Sequence, residues 1–197
     1  MSDIVARLLA DLPAQEVRWS RSALIAIMGL PGAGKTEIAN YLAERYPLVK
    51  LSTDYIRLKY GLASGPATHE VMYGVAGKLL AEKASLVLDG IHLGRHNRDQ
   101  ARTVANEYKA YAAIIYATAS REIIEERLQQ RLRQSQRTAN DGKYVITPGH
   151  FAAIASYLEE PADDEEVFVV DTSHDAIDKQ MSDLEHLLRH LLTGSHL

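Results

Sequence analysis

The sequence predicts an α/β domain built on an open parallel sheet. Five short runs rich in Val and Ile are mostly continuous in hydropathy rather than alternating, the pattern of strands covered on both faces. Between them lie segments long enough for the crossover helices that parallel neighbours require. An apolar content of 46% across 197 residues is ample for one buried core.

Taken in order, Ile4, Val5, Leu8, Leu9 and Leu12 share one helical face before Pro13 stops the pattern, so an N-terminal helix is expected within 1–20. ALIAIM at 23–28 is the first strand, followed by a helix over 34–46 and the strand LVKLS at 48–52. A helix over about 69–83 leads to SLVLD at 85–89, a helix over 95–108 to YAAIIYA at 111–117, and a helix over 120–133 follows. The polar stretch 134–143 (QSQRTANDGK) and the acidic stretch 161–166 (PADDEE) read as mobile loops around a helix over 147–159. The last strand is EVFVVD at 166–171. Beyond it, Ile177, Met181, Leu184, Leu188 and Leu191 repeat with spacing 4-3-4-3, which predicts a helix over 174–193. Such a stripe packs on its own domain or joins two copies, so monomer and homodimer both stay open. The chain 1–197 reads as a single domain, with a core at 22–172 and a lid near 133–146.

Composition removes several function classes. With 22 Lys+Arg against 26 Asp+Glu the formal charge is −4, which argues against coating nucleic acid by bulk charge and leaves only a local basic groove for such a partner. No cysteine is present, so disulfide scaffolds, thiolate metal sites and cysteine nucleophiles are excluded. The first residues lack a basic leader region, and no apolar run approaches the ~18 residues of a membrane span. A soluble cytoplasmic protein is the expectation.

Local motifs carry the functional information. Gly29-Leu30-Pro31-Gly32-Ala33-Gly34-Lys35-Thr36 fits G-x-x-x-x-G-K-[ST] in full, directly after a strand and directly before a helix. Its glycines let the backbone aim N–H groups inward, so loop and helix N-terminus form a nest for β- and γ-phosphates. Lys35 is expected on those phosphates and the Thr36 hydroxyl on Mg²⁺. Glu37, where a dinucleotide fingerprint needs Gly, favours a nucleoside triphosphate.

The other strand ends supply charge. Asp54 follows the second strand in STDYIR and can accept the proton of an attacking hydroxyl, with Arg57 one helical turn on to hold a polar or anionic substrate group. The competing role for Asp54 is a helix cap with Arg57 as its partner. Asp89 ends the third strand in LVLDG, where it would hold Mg²⁺ through water. His92, Arg95, His96 and Arg98 follow at the same edge as candidate substrate contacts or ordinary loop residues, and His92 and His96 lack the Glu that completes H-E-x-x-H. Arginines at the edge of a flexible loop can close over a transferring phosphoryl group, which favours Arg133 and Arg137 over Arg127 or Arg131. Asp171, Thr172 and Ser173 are expected near the nucleotide base, or as helix-starting caps.

On GLPGAGKT (29–36), STDYIR (52–57), LVLDG (86–90) with Arg95 and Arg98, ATASREIIEERLQQR (117–131) and Arg133-x-x-x-Arg137, the chain resembles the P-loop kinases related to polynucleotide kinase, zeta toxin and chloramphenicol phosphotransferase. The resemblance covers about 23–172. It implies a nucleotide-kinase-like three-layer α/β/α fold on a five-stranded parallel sheet, Asp54 as general base, Arg57 orienting the substrate, and Arg133 and Arg137 binding donor phosphates. The expected function is an ATP- and Mg²⁺-dependent kinase acting on a hydroxyl of a small or nucleotide-like acceptor. The alternatives are a kinase of RNA or DNA ends and a P-loop ATPase or switch acting on a protein partner.

Overall fold

The computed structural model describes residues 2–13, 21–63, 65–137 and 146–173, and, near the C-terminus, 180–182, 184–186 and 189. Its elements run α1 (Ser2–Asp11), β1 (Ala23–Met28), α2 (Lys35–Arg45), β2 (Leu48–Ser52), α3 (Thr53–Tyr60), α4 (Pro66–Ala81), β3 (Ser85–Asp89), α5 (Arg95–Glu107), β4 (Tyr111–Thr118), α6 (Arg121–Arg137), α7 (Pro148–Ala155) and β5 (Phe168–Asp171). The five strands form one parallel sheet in the order β2-β3-β1-β4-β5.

Alternation along each strand divides the core into two layers. On one face Leu24, Ala26 and Met28 of β1, with Leu86 and Leu88 of β3, pack against α4 through Val71, Met72, Val75, Leu79 and Leu80, and against Leu8 of α1 and Ile56 of α3. On the other, Ile25, Ile27 and Val87 pack against Ile38, Ala39 and Leu42 of α2 and Ile124 of α6. All six residues of β1 and all five of β3 are buried, the physical reason these runs carry no polar alternation. Met181 and Leu184, two positions of the C-terminal stripe, are buried in this second layer. At those two positions the stripe therefore packs on its own domain. Among the described residues no helix is long and apolar enough to cross a membrane.

Several expected boundaries shift for local reasons. Helix α4 starts at Pro66, three residues before the expected 69, because proline suits the first helical turn, whose N–H groups have no intrahelical acceptor. Helix α7 stops at Ala155, not 159, and β5 begins at Phe168 rather than 166. Helix α6 continues through Arg137, so 134–137 are helical instead of opening a mobile loop, and 138–145 lie outside the described residues.

The acidic 161–166 segment is not loose either. Arg98 is fully buried and grips Glu165 through two contacts of 2.7 Å, while a third donor reaches the Leu93 carbonyl at 2.8 Å. Arg102 adds a contact to Glu165 at 3.1 Å, and Arg95 forks onto Asp164 at 2.9 and 2.6 Å. This clasp ties the start of α5 to the approach of β5. The Arg98 guanidinium holds the Glu165 carboxyl at about 2, against an ordinary 4.5. Because the folded value is the lower one, Glu165 contributes stability above pH 4.5 that is lost as pH falls toward 2. Urea unfolding followed against pH should fall across that window with up to about 1.4 kcal/mol per pH unit owed to this group. In Glu165→Gln that part of the slope should be absent, and Arg98→Met, which leaves the buried carboxylate with Arg102 as its remaining arginine, should cost up to about 3–5 kcal/mol at neutral pH.

Candidate active site

Strand β1 lies between β3 and β4, so the chain leaving it enters the opening where neighbouring connections diverge, the place at which parallel sheets bind ligands. Register fixes what meets there. Ile27 pairs with Asp89, and Ser52 pairs with Asp89, bringing the ends of β1, β2 and β3 level.

The loop from Gly29 to Thr36 turns through backbone angles open to glycine. Gly29 has φ 144°, and a Cβ there would lie 2.3 Å from the Ala117 carbonyl oxygen. Gly34, at φ 85°, precedes α2 and lies so close to Thr172 that a Cβ would meet its methyl at 2.9 Å. Within the loop the Ala33 N–H donates to the Leu30 carbonyl at 3.1 Å, and Lys35 Nζ reaches the same carbonyl at 2.9 Å. Burial pulls the Lys35 ammonium down to about 8, a desolvated cation suited to an anionic partner. Thr36 Oγ1 donates to Asp89 Oδ1 at 3.2 Å, and burial pushes the Asp89 carboxyl above its ordinary value.

A second set of contacts fixes the loop from behind. Arg127 of α6 donates to the Gly32 carbonyl at 3.1 Å, to Thr172 Oγ1 at 2.8 Å and to the Thr172 carbonyl at 2.7 Å. Thr172 Oγ1 in turn donates to the Ala33 carbonyl at 3.1 Å. Thr172 is thus spent on the loop, while the Ser173 hydroxyl accepts the Ser120 N–H at 2.7 Å and Asp171 accepts the Ser173 N–H at 2.8 Å. These three residues were expected near a nucleotide base; the structure gives them contacts within the chain.

On the far side of the loop, α3 carries Asp54 and Arg57, joined at 3.0 Å. The cap of α3 is Ser52, whose side chain accepts the Tyr55 N–H, so the capping role considered for Asp54 belongs to its neighbour. Asp54 is largely exposed, and Arg57 is mostly covered. Lys35, Thr36, Asp54, Arg57 and Asp89 line one cleft of about 250 Å³, together with Pro31, Gly32 and Gly34.

Arg131 and Arg133 of α6 are both exposed, but Arg131 lines this cleft and Arg133 does not. Helical geometry is the reason: Arg127 and Arg131, four apart, share a face, and Arg133 is turned about 200° from Arg131. Arg137 ends α6, and its side chain lies outside the described residues. Arg95 and Arg98, candidates for substrate contacts or for ordinary loop and helix-start roles, belong to the clasp on Asp164 and Glu165. His92 is fully buried, with Nδ1 3.0 Å from the Ile27 carbonyl and its ring beside His69 and Tyr73, and burial lowers it to about 4. His96 is exposed and does not line the cleft. Residues that no motif singles out complete the wall: Ile91 after β3, Ile146, and His150, Ala153 and Ile154 along α7. The helix expected over 147–159 is α7, and it starts with the Thr147 hydroxyl accepting the His150 N–H at 3.4 Å.

Solved structures share this architecture. The Kti12 of Chaetomium thermophilum, in complex with ADP-AlF3, superposes with a TM-score of 0.69 at 18% identity, over 87% of this chain and 100% of that one. The Mycobacterium tuberculosis APS kinase, in complex with AMPPNP and APS, gives 0.60 at 20% identity over 85% and 98%, and a Sinorhizobium meliloti gluconokinase gives 0.60 at 20% over 91% and 100%. At these identities the likeness is one of fold. No curated protein shows significant sequence similarity to the chain. The AAA domain model AAA_33 matches residues 24–147, from the first strand through the P-loop, the Asp54 and Asp89 strand ends and α6. By that match, over more than half its length, the chain belongs to the AAA domain family AAA_33, as a P-loop kinase-like member.

Proposed function

We propose that the protein is an ATP-dependent kinase that transfers the γ-phosphate to a hydroxyl group of its acceptor, acting in the cytoplasm. The observation that carries this reading is that Asp54 and Arg57 open into the same cleft as Lys35, Thr36 and Asp89. A hydrolase or switch needs a group that positions water; a carboxylate steadied by a guanidinium at the acceptor end instead suits removal of a proton from an alcohol. The APS kinase and gluconokinase among the structural neighbours act in accord with that chemistry by name.

In this reading the N–H groups of the 29–36 loop and the start of α2 hold the β- and γ-phosphates, and Lys35 shifts from the Leu30 carbonyl onto them. Arg131 neutralises charge on the transferring group from the opposite wall. The acceptor oxygen bonds to the γ-phosphorus as the bond to the β,γ-bridging oxygen breaks, ADP leaves with that electron pair, and the hydroxyl proton passes to Asp54. Arg57, 3.0 Å from Asp54, keeps that carboxylate aimed.

Thr36 and Asp89 fit a hard cation. Both offer oxygen, and their side chains already meet at 3.2 Å. Among the described residues no group of three or more His, Asp or Glu could hold a metal alone, which suits Mg²⁺, bound by one or two protein oxygens with water and phosphate completing its shell. Mg²⁺ held by Thr36 and Asp89 would supply positive charge to neutralise the phosphates during transfer.

Two outcomes test the reading. Asp54→Asn should retain ATP binding by calorimetry while transfer from γ-labelled ATP falls by about 100-fold or more; unchanged turnover would reduce Asp54 to a partner of Arg57. Arg131→Ala should lower transfer by at least about tenfold and Arg133→Ala much less, the order reversing if Arg133 swings in to the donor.

A further inference from the structure

The kinase reading leaves the acceptor open, and the charge arrangement of the cleft narrows it. Among the described residues the cations lining it are Lys35, Arg57 and Arg131. Lys35 and Arg131 stand at the phosphate end, where a triphosphate and its metal take up their charge. Arg57 is 3.0 Å from Asp54, so the acceptor end carries a paired carboxylate and guanidinium with no net charge. An anionic acceptor would have to draw Arg57 away from Asp54 and then sit against the carboxylate that must receive its proton.

The three arginines of the neighbouring α5 start are withheld from the cleft. Arg95 is held by Asp164, and Arg98 and Arg102 by Glu165, and none of them lines the wall. The other side chains lining the cleft include the Thr53 hydroxyl, the His150 imidazole and the apolar faces of Ile91 and Ile154. The cleft measures about 250 Å³, and Thr36, Asp54, Asp89 and Arg131 also border a second one of about 910 Å³.

Resting on the kinase reading, we propose that the acceptor is an uncharged hydroxyl compound, hydrogen-bonded by Thr53 and His150, with its less polar side on Ile91 and Ile154. Its hydroxyl loses its proton to Asp54 as the oxygen takes the γ-phosphoryl group and ADP departs. Selection against anions comes from Asp54 and from the diversion of Arg95 and Arg98 to the clasp.

The test uses the full chain, Mg²⁺ and γ-labelled ATP with matched acceptors: neutral aldoses and polyols, the corresponding aldonic acids and sugar phosphates, and a 5′-hydroxyl oligonucleotide. We expect kcat/KM for the best neutral member at least tenfold above its anionic counterparts, with little change between low and physiological salt. Ile154→Trp should raise the acceptor KM at least tenfold while the Kd for ATP stays within twofold. Preference for an acid, a sugar phosphate or the oligonucleotide, or a steep fall with salt, overturns the acceptor class and leaves the kinase reading standing. Hydrolysis of ATP with no transfer to any member, at a rate unchanged by Asp54→Asn, overturns both.

Discussion

The site depends on one constraint, the placement of β1 between β3 and β4 in an all-parallel sheet. Skipping over β3 to form β2 obliges the chain to leave β1 into an opening between diverging connections, where a glycine loop can meet a ligand without clashing with its neighbours. The same skip lets β3 return beside β1, with Asp89 paired to Ile27, so the metal-side carboxylate and the phosphate loop are brought together by strand register. Ser52, paired with the same Asp89, starts α3 and carries Asp54 and Arg57 to the rim. Donor and acceptor groups therefore share a cleft because three strands end level.

Loop geometry is then held by groups that never face the ligand. The Gly32 and Ala33 carbonyls are bonded from behind by Arg127 and Thr172, and in the trans peptide that follows Ala33 the Gly34 N–H points the opposite way. An amide that accepts at its oxygen is polarised at its nitrogen, so these contacts strengthen the anion nest as well as fixing it. The arginines divide by the same economy of partners. Arg98, sealed in the interior, is a buried charge that Glu165 balances, and that pairing removes it from the substrate edge.

Most of the sheet and half of the site could be read from the sequence. Continuous runs such as ALIAIM and SLVLD marked buried parallel strands because nothing polar is tolerated on either face, and the 29–36 motif marked its own turn because φ near 85° at Gly34 suits little else. Partner choice was not legible. Nothing local in RHNR distinguishes an arginine that meets a substrate from one that meets Glu165, 67 positions away. Likewise Arg131 and Arg133 are equivalent until the rotation of α6 about its axis is known, and the α7 wall has no motif because an apolar surface with one imidazole needs only shape.

The most direct measurement is a crystal structure with Mg²⁺ and a non-hydrolysable ATP analogue. The account predicts the γ-phosphate between Lys35 and Arg131, with Asp54 within hydrogen-bond reach, directly or through one water, of the point in line with the β,γ-bridging bond. A γ-phosphate turned away from α3, with Asp54 out of reach of that point, would contradict it.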